Sequence, residues 1–479
     1  MRTRNLFLGA AAAILCYQLF LPPIVGLADN GDFAKLTGRF DLHAKTFRVG
    51  QFVDATYEID PKWHWSGPYY SSETLLILPA LLLNALVSKD GNFDLRLIGA
   101  VHGALFLASL WLLWPLLARK RPVVRAAVCT LIIFMYCDVM YVSGLNSFYM
   151  DEPAYLFLLL SAVLYLRAVR SRTTVDVIWL LVCGLLLATS KTQHAPLGLL
   201  FAVLLFFARR SLWPQRPRAL AASAVCLALA SCLMIWRGVP PGYADYPIYN
   251  VVFRQILPHS KHMRLTLMDL DLDDTYAQYI GKNSFEPESH MADPAFRAAF
   301  DKRVSLGKLL LFYVKHPRDA WETLRGSLNA AGQRRIFGNF DASAGYAPGM
   351  ESHAFAWWSN FNRSLFYLRG ARLFFVFLGF IALVSSLLGF YRRSLPPGIA
   401  PAGYVLIVMA FAELLISSML DSADVARHHF IFFALFDMIV ITAVCLVLRA
   451  AHVFDDRLPA RAGTQQPAPP LIAAADAGS

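Results

Sequence analysis

The sequence predicts an all-α polytopic membrane protein: a bundle of about ten transmembrane helices with juxtamembrane helices and one large outer loop. Three observations predict it. Only 16% of the 479 residues are charged while 57% are hydrophobic, where a soluble protein carries about a quarter charged residues. Several windows of about 17–24 residues are almost free of charge, long enough to cross the hydrocarbon core as helices. The basic residues gather in short clusters between those windows, as cytoplasmic loops do under the positive-inside rule.

The first apolar run, about 6–27, exceeds the 7–15 residues of a secretory signal and reads as a retained helix. Further spans are expected at about 97–118, 124–144, 153–169, 175–190, 195–208, 219–237, 371–391, 402–420 and 430–448. The stretch TLLILPALLLNALV (74–87) is short and contains a proline. Leaving it out of the count places Arg119, Lys120, Arg121, Arg167, Arg170, Arg209, Arg210, Arg392 and Arg393 all inside. Counting it as a span turns those loops outward, against the charge rule. It is therefore expected as a juxtamembrane or re-entrant helix, and both termini as cytoplasmic.

This gives four regions: 1–237, a transmembrane module with functional outer loops; 238–370, a large extracytoplasmic loop; 371–449, C-terminal spans; and 450–479, a cytoplasmic disordered tail. Within the large loop, KLLLFYVKHPRDAWETL reads as amphipathic helix lying on the bundle or the lipid surface. The net charge of +11 sits in loop clusters, with no basic stripe interleaved with aromatics, so nucleic acid is not an expected partner. All seven cysteines fall in apolar segments without a CxxC pair, which indicates neither a disulfide framework nor a zinc site.

The topology turns four polar outer loops toward one face. Asp29, Asn30 and Asp32 open the first; Asp151 and Glu152 lie in the second; Lys191 and His194 in the third; Arg427, His428 and His429 in the last. A carboxylate can take a proton from an attacking hydroxyl, and Lys, Arg or His⁺ can stabilise a departing phosphate. Each residue also has a structural reading. Asn30-Gly31 is an ordinary turn with Asp as a cap, Asp151-Glu152-Pro153 an ordinary helix start, and Lys191 a snorkelling lysine. Asp421 and Asp424 accompany the last loop, and Asp138, Glu413 and Asp437 lie within spans, where buried charge is costly. Trp63, His64 and Trp65 suit an interfacial belt or a sugar platform.

The order from Trp65 to about Arg210 resembles the polyprenyl-phosphate-sugar-dependent glycosyltransferases of the GT-C superfamily. Arg96, the turn RKRPVVR, the loop LNSFYMDEP with Asp151, and Lys191 in LLATSKTQHAPL fall where that family has its arginine, basic loop, second acidic site and lysine. RHHF is similar to a basic motif that some members place at the lipid phosphate, and LADNGDF looks like a bacterial hexose-transferase branch. The first loop departs from the Asp-Glu pair of the protein mannosyltransferases, leaving Asp29 or Asp32 as the base.

The resemblance implies a GT-C-like bundle in a bacterial inner membrane that moves a sugar, with inversion, from a polyprenyl-phosphate donor. The acceptor would be a cell-envelope glycan or lipid on the outer face. Asp29, with Asp32 as alternate, would be the base; Asp151 and Glu152 would orient the acceptor. Lys191, His194, Arg427, His428 and His429 would hold the donor phosphate. Asp29 and Asp151 are candidate ligands for Mg²⁺ or Mn²⁺, although some members work without metal. Two rivals remain at this level: a ligase or polymerase using a diphosphate-linked glycan, with Arg334 and Arg335 on the diphosphate, and a lipid-linked glycan transporter.

Overall fold

The computed structural model describes residues 2–45, 47–60, 69–88, 90–335, 337–420 and 422–451. Trp63, His64, Trp65, Asp421 and the tail from residue 452 lie outside the described residues.

Each apolar segment of the sequence is helical, and the chain is a multi-pass α-helical membrane protein. The segments are not all spans by length and composition. Seven helices among the described residues are long and apolar enough to cross a membrane, or eight if one bent pair counts as a single span. The expected 124–144 span is that pair: Pro122–Tyr136 and Val139–Leu145 meet at 61°. Asp138 caps the second piece by accepting the Met140 N–H at 2.9 Å, and it also accepts the N–H groups of Trp358 (2.8 Å) and Ser359 (3.0 Å). An in-span carboxylate thus becomes the joint of a broken helix. Thr174–Ala188 has 15 residues, about 22 Å of helix, against a core of about 30 Å. Arg2–Phe20 begins with Arg2, Arg4 and Asn5 and stops before Pro22-Pro23.

Helix Asp151–Ser171 is the axis of the bundle, its apolar window 83% buried, whereas that of Gly370–Tyr391 is 22% buried and faces outward. It packs against helices Arg96–Leu117 and Thr174–Ala188 and touches Phe430–Ala450. It ends where Arg172 takes a left-handed conformation, and the next helix opens with the Thr173 side chain accepting from Asp176 N–H. Pro122 and Pro217 sit in the first turns of their helices, where a missing N–H costs nothing. The 74–87 stretch forms helix Glu73–Val87 on the flank of Arg96–Leu117.

The all-α expectation missed a small antiparallel sheet in the first loop, with Leu42–Ala44, Thr56–Ile59 and Asn92–Asp94 side by side. Leu42 pairs with Ile59 and Tyr57 with Phe93. Tyr57 and Phe93 rest on Phe148 of the second loop, with ring centroids 5.2 and 5.9 Å apart. That aromatic seat fixes the first loop on the second.

The 238–370 region contains a separate apolar core, built around Tyr249, Phe253 and Phe300. The expected amphipathic stretch is two helices, Leu306–Lys315 and Pro317–Ala331, broken at His316-Pro317. Leu306–Lys315 contributes Leu309, Phe312 and Tyr313 to that core, and Pro317–Ala331 packs on helices Gly370–Tyr391 and Ile399–Met419.

Candidate functional site

The chain leaves its first helix as an extended segment that is tied down on both sides. Asn146 Nδ2 donates to the carbonyls of Leu19 (3.0 Å) and Val25 (2.9 Å), and Tyr149 Oη donates to Ala28 O at 2.8 Å. Gly31 then turns the chain at φ +103°, a conformation that L side chains rarely adopt. Asp29 holds the turn: its Oδ1 accepts the N–H groups of Gly31 (2.8 Å) and Phe33 (3.1 Å). The next turn brings Lys35 to Asp32 at 2.5 Å.

Around this turn the loops close into one network. Arg427 reaches Asp32 at 2.8 Å and Asp151 at 3.1 Å, lying over the Tyr149 ring with 4.8 Å to its centroid. Asp151 also accepts from Lys191 Nζ at 2.8 Å and meets His194 Nε2 at 2.9 Å. The other His194 nitrogen faces Glu413 at 2.8 Å. Asp424 bonds to Asn30 and lies 3.8 Å from Arg427. Asp32, Asp151, Lys191, His194 and Arg427, remote in sequence, therefore meet at one end of the bundle. Arg427 Nε is buried without a partner, an unused donor beside the cluster.

The two first-loop carboxylates differ in character. Burial pushes the Asp32 carboxyl up, but Arg427 and then Lys35 override it and hold it at about 2. Asp32 is thus an anchor for cations and a weak proton acceptor. Asp29 is raised above its ordinary value by burial, against the two turn N–H bonds, with Asp32 and Asp54 adding to the rise. Of the two, Asp29 is the better base. Arg427 is pulled down by burial, yet the facing Asp32 and Asp151 raise it well above the usual value.

The three expected histidine ligands for the phosphate are engaged by the protein's own groups. His428 is kept neutral, by burial first and by Arg427 and Lys191 next; its Nδ1 pairs with Gln193 Oε1 at 2.9 Å. His429 is fully buried, with Ser418 Oγ on one nitrogen (2.9 Å) and Val425 O on the other (2.8 Å), and burial lowers it to about 4. His194 is buried between two carboxylates. Lys191 and Arg427 remain as the cations turned to the cluster.

Glu152 also departs from expectation. It turns away from the Asp151 network and lies against Gly144, where an added Cβ would sit 1.8 Å from its Oε1. Its Oε2 is buried and unpaired. The Asp29 and Asp151 pair does not fit a divalent-ion site. Lys191, Arg427 and His194 engage Asp151, and among the described residues no group of three or more His, Cys, Asp or Glu could hold an ion. Asp437, taken from sequence as an in-span charge, accepts Tyr141 Oη (2.6 Å) and Trp358 Nε1 (2.8 Å), away from the network.

Sequence reasoning missed Lys35, Gln193 and Tyr149. Lys35 carried a signal in its i,i+3 spacing from Asp32. Gln193 donates to Glu413 Oε1 at 2.8 Å and to His428 O at 3.0 Å. Neither it nor the ring beneath Arg427 had a local sequence signature.

The family model described as the YfdI N-terminal transmembrane domain matches residues 3–466. The comparison with curated proteins and the comparison with solved structures each found no match.

Proposed function

The chain belongs to the YfdI N-terminal transmembrane domain family, and from that premise we propose that it is a membrane glycosyltransferase using a polyprenyl-phosphate sugar. The observation that carries this reading is the convergence of Asp32, Asp151, Lys191 and Arg427 beside Asp29, with one buried Arg427 donor unused. The GT-C resemblance of the loop order adds to it.

In this reading the donor's tail lies in the bilayer of a bacterial inner membrane and its head reaches the cluster on the outer face. Asp29 takes the proton of an acceptor hydroxyl, and the oxygen attacks the anomeric carbon from the side opposite the phosphate. The bond from that carbon to the phosphate oxygen breaks, and the departing polyprenyl phosphate rests on Lys191 and Arg427. Asp151 and Asp32 position those two cations. The acceptor is a cell-envelope glycan or lipid. No step is routed through a metal: of the two candidate ligands, Asp151 is engaged by Lys191, His194 and Arg427, and Asp29 Oδ1 by the N–H groups of Gly31 and Phe33. The diphosphate-linked rival has less support: Arg334 lies over the Phe433 ring and Arg335 pairs with Glu351 at 3.2 Å.

The test is release of polyprenyl phosphate from a panel of polyprenyl-phosphate hexoses by protein in nanodiscs, with acceptor glycans supplied. Asp29→Asn and Arg427→Met are each expected to slow release by about 100-fold or more. Release that proceeds at the wild-type rate in both variants refutes the assigned roles.

A further inference from the structure

A cavity of about 290 Å³ opens beside the outer end of the first helix. Tyr17 and Leu21 of that exit form one side, Phe340 and Tyr346 another, and Glu351 and His353 supply polar groups. Tyr346 lies nearly flat on Phe340, with centroids 4.1 Å apart and 21° between planes, and keeps 40% of its surface exposed. Among the described residues that line the cavity, Glu351 is the charged one and no lysine or arginine appears.

That lining selects by chemistry. A phosphate would meet a carboxylate, since the arginines paired with Glu351, Arg335 at 3.2 Å and Arg363 at 2.9 Å, are not among the lining residues. A purely apolar chain would strand Glu351, Ser352 and His353. An uncharged, hydroxyl-rich ring satisfies both parts: its hydroxyls donate to a carboxylate held in place by two arginines, and its apolar face lies on an aromatic ring.

The position connects this cavity to the Asp29 site. Val25 lines it, and Asp29 follows four residues later on the extended segment, about 13 Å away at strand rise. That segment is paired with the cavity wall, Gly26 N–H to Asn339 O and Ala28 N–H to Gly338 O, both at 3.0 Å. Asn339 joins the two, donating from Nδ2 to Gly26 O at 2.8 Å and accepting Ser352 N–H at 2.9 Å.

We infer that this cavity is a saccharide subsite, which holds a distal unit of a neutral oligosaccharide acceptor while the reacting unit lies at Asp29. The inference rests on the proposed transferase reading, and it adds that the acceptor is a chain of several sugars. A lone monosaccharide cannot bridge the two places.

Binding of linear neutral hexose oligosaccharides, from one to six units, to the full chain in nanodiscs tests it without requiring catalysis. Affinity should rise with length and then level off. Tyr346→Ala and His353→Ala should each weaken the longer probes by about tenfold, as the loss of a stacking or hydrogen-bonding contact does. Neither should change melting temperature, monosaccharide binding or polyprenyl-phosphate binding. Failure of every probe to bind the wild type overturns the inference, as does length-dependent binding that both variants retain in full. If the oligosaccharides bind as expected but no donor releases polyprenyl phosphate, the donor assignment falls and the subsite stands.

Discussion

Asp151→Asn removes one negative charge from the buried centre of the loop network, and the structure indicates which partner is left stranded. Arg427 retains Asp32 at 2.8 Å, and His194 retains Glu413 at 2.8 Å. Lys191, with 12% of its side chain exposed, has Asp151 as its ion-pair partner and no other among the described residues. Breaking a buried pair from one side costs about 3–5 kcal/mol, since the surviving charge remains buried. Lys191→Met alone leaves Asp151 with Arg427 and His194 and should cost about 1.5–3 kcal/mol, the worth of a charged hydrogen bond. In the double variant the stranded ammonium is gone, so the two losses should fail to add by about 2 kcal/mol. Equilibrium unfolding of the four proteins in mixed micelles measures each value. An Asp151→Asn loss below about 0.5 kcal/mol, or additivity within about 0.5 kcal/mol, refutes the argument that Asp151 is the counter-charge of Lys191.

Two further outcomes follow from other parts of the site. Asp32 has its carboxyl lowered from 3.8 to about 2 in the folded chain. Its contribution is therefore complete above the unfolded value and lost as pH falls through the folded one, and amounts to about 2.5 kcal/mol at neutral pH. Melting curves of wild type and Asp32→Asn should differ most at pH 6 and by about half as much at pH 3; a gap that widens on acidification contradicts the assignment. Gly144→Ala would force the new methyl onto the Glu152 carboxylate and should cost about 1–3 kcal/mol as overpacking. Adding Glu152→Ala should relieve most of that cost, and a double variant no more stable than Gly144→Ala would show that Glu152 is not the obstruction.

The membrane class and the positions of the apolar helices were legible because lipid demands long uncharged helices, a local and strongly patterned signal. What the pattern hid was local competition. Asp138 reads as a stray charge within an apolar run, but it caps the second piece at Met140 and ties it to the distant N–H groups of Trp358 and Ser359. The three short strands of the first loop have no alternation long enough to stand out. At the site, charge parity placed Asp32, Asp151, Lys191 and Arg427 on one face, which is as far as loop counting reaches. It could not tell that Asp151 and Glu152, adjacent in sequence, point to different surroundings, since neighbours on a helix diverge by about 100°. Nor could it tell neutral histidines from charged ones, because burial among cations decides that.

The pairing of Lys35, Lys191 and Arg427 with the protein's own carboxylates has a consequence for selectivity. The network presents little bare positive charge to the solvent, so it is no general trap for the small anions of the surrounding medium. An anion gains a place only if it brings enough binding from elsewhere to loosen an internal pair. A ligand that also binds elsewhere on the protein meets that requirement more readily than a free inorganic ion. Occupancy of this end of the bundle should consequently depend only weakly on ionic strength, which sets it apart from a surface patch that gathers ligands by long-range attraction.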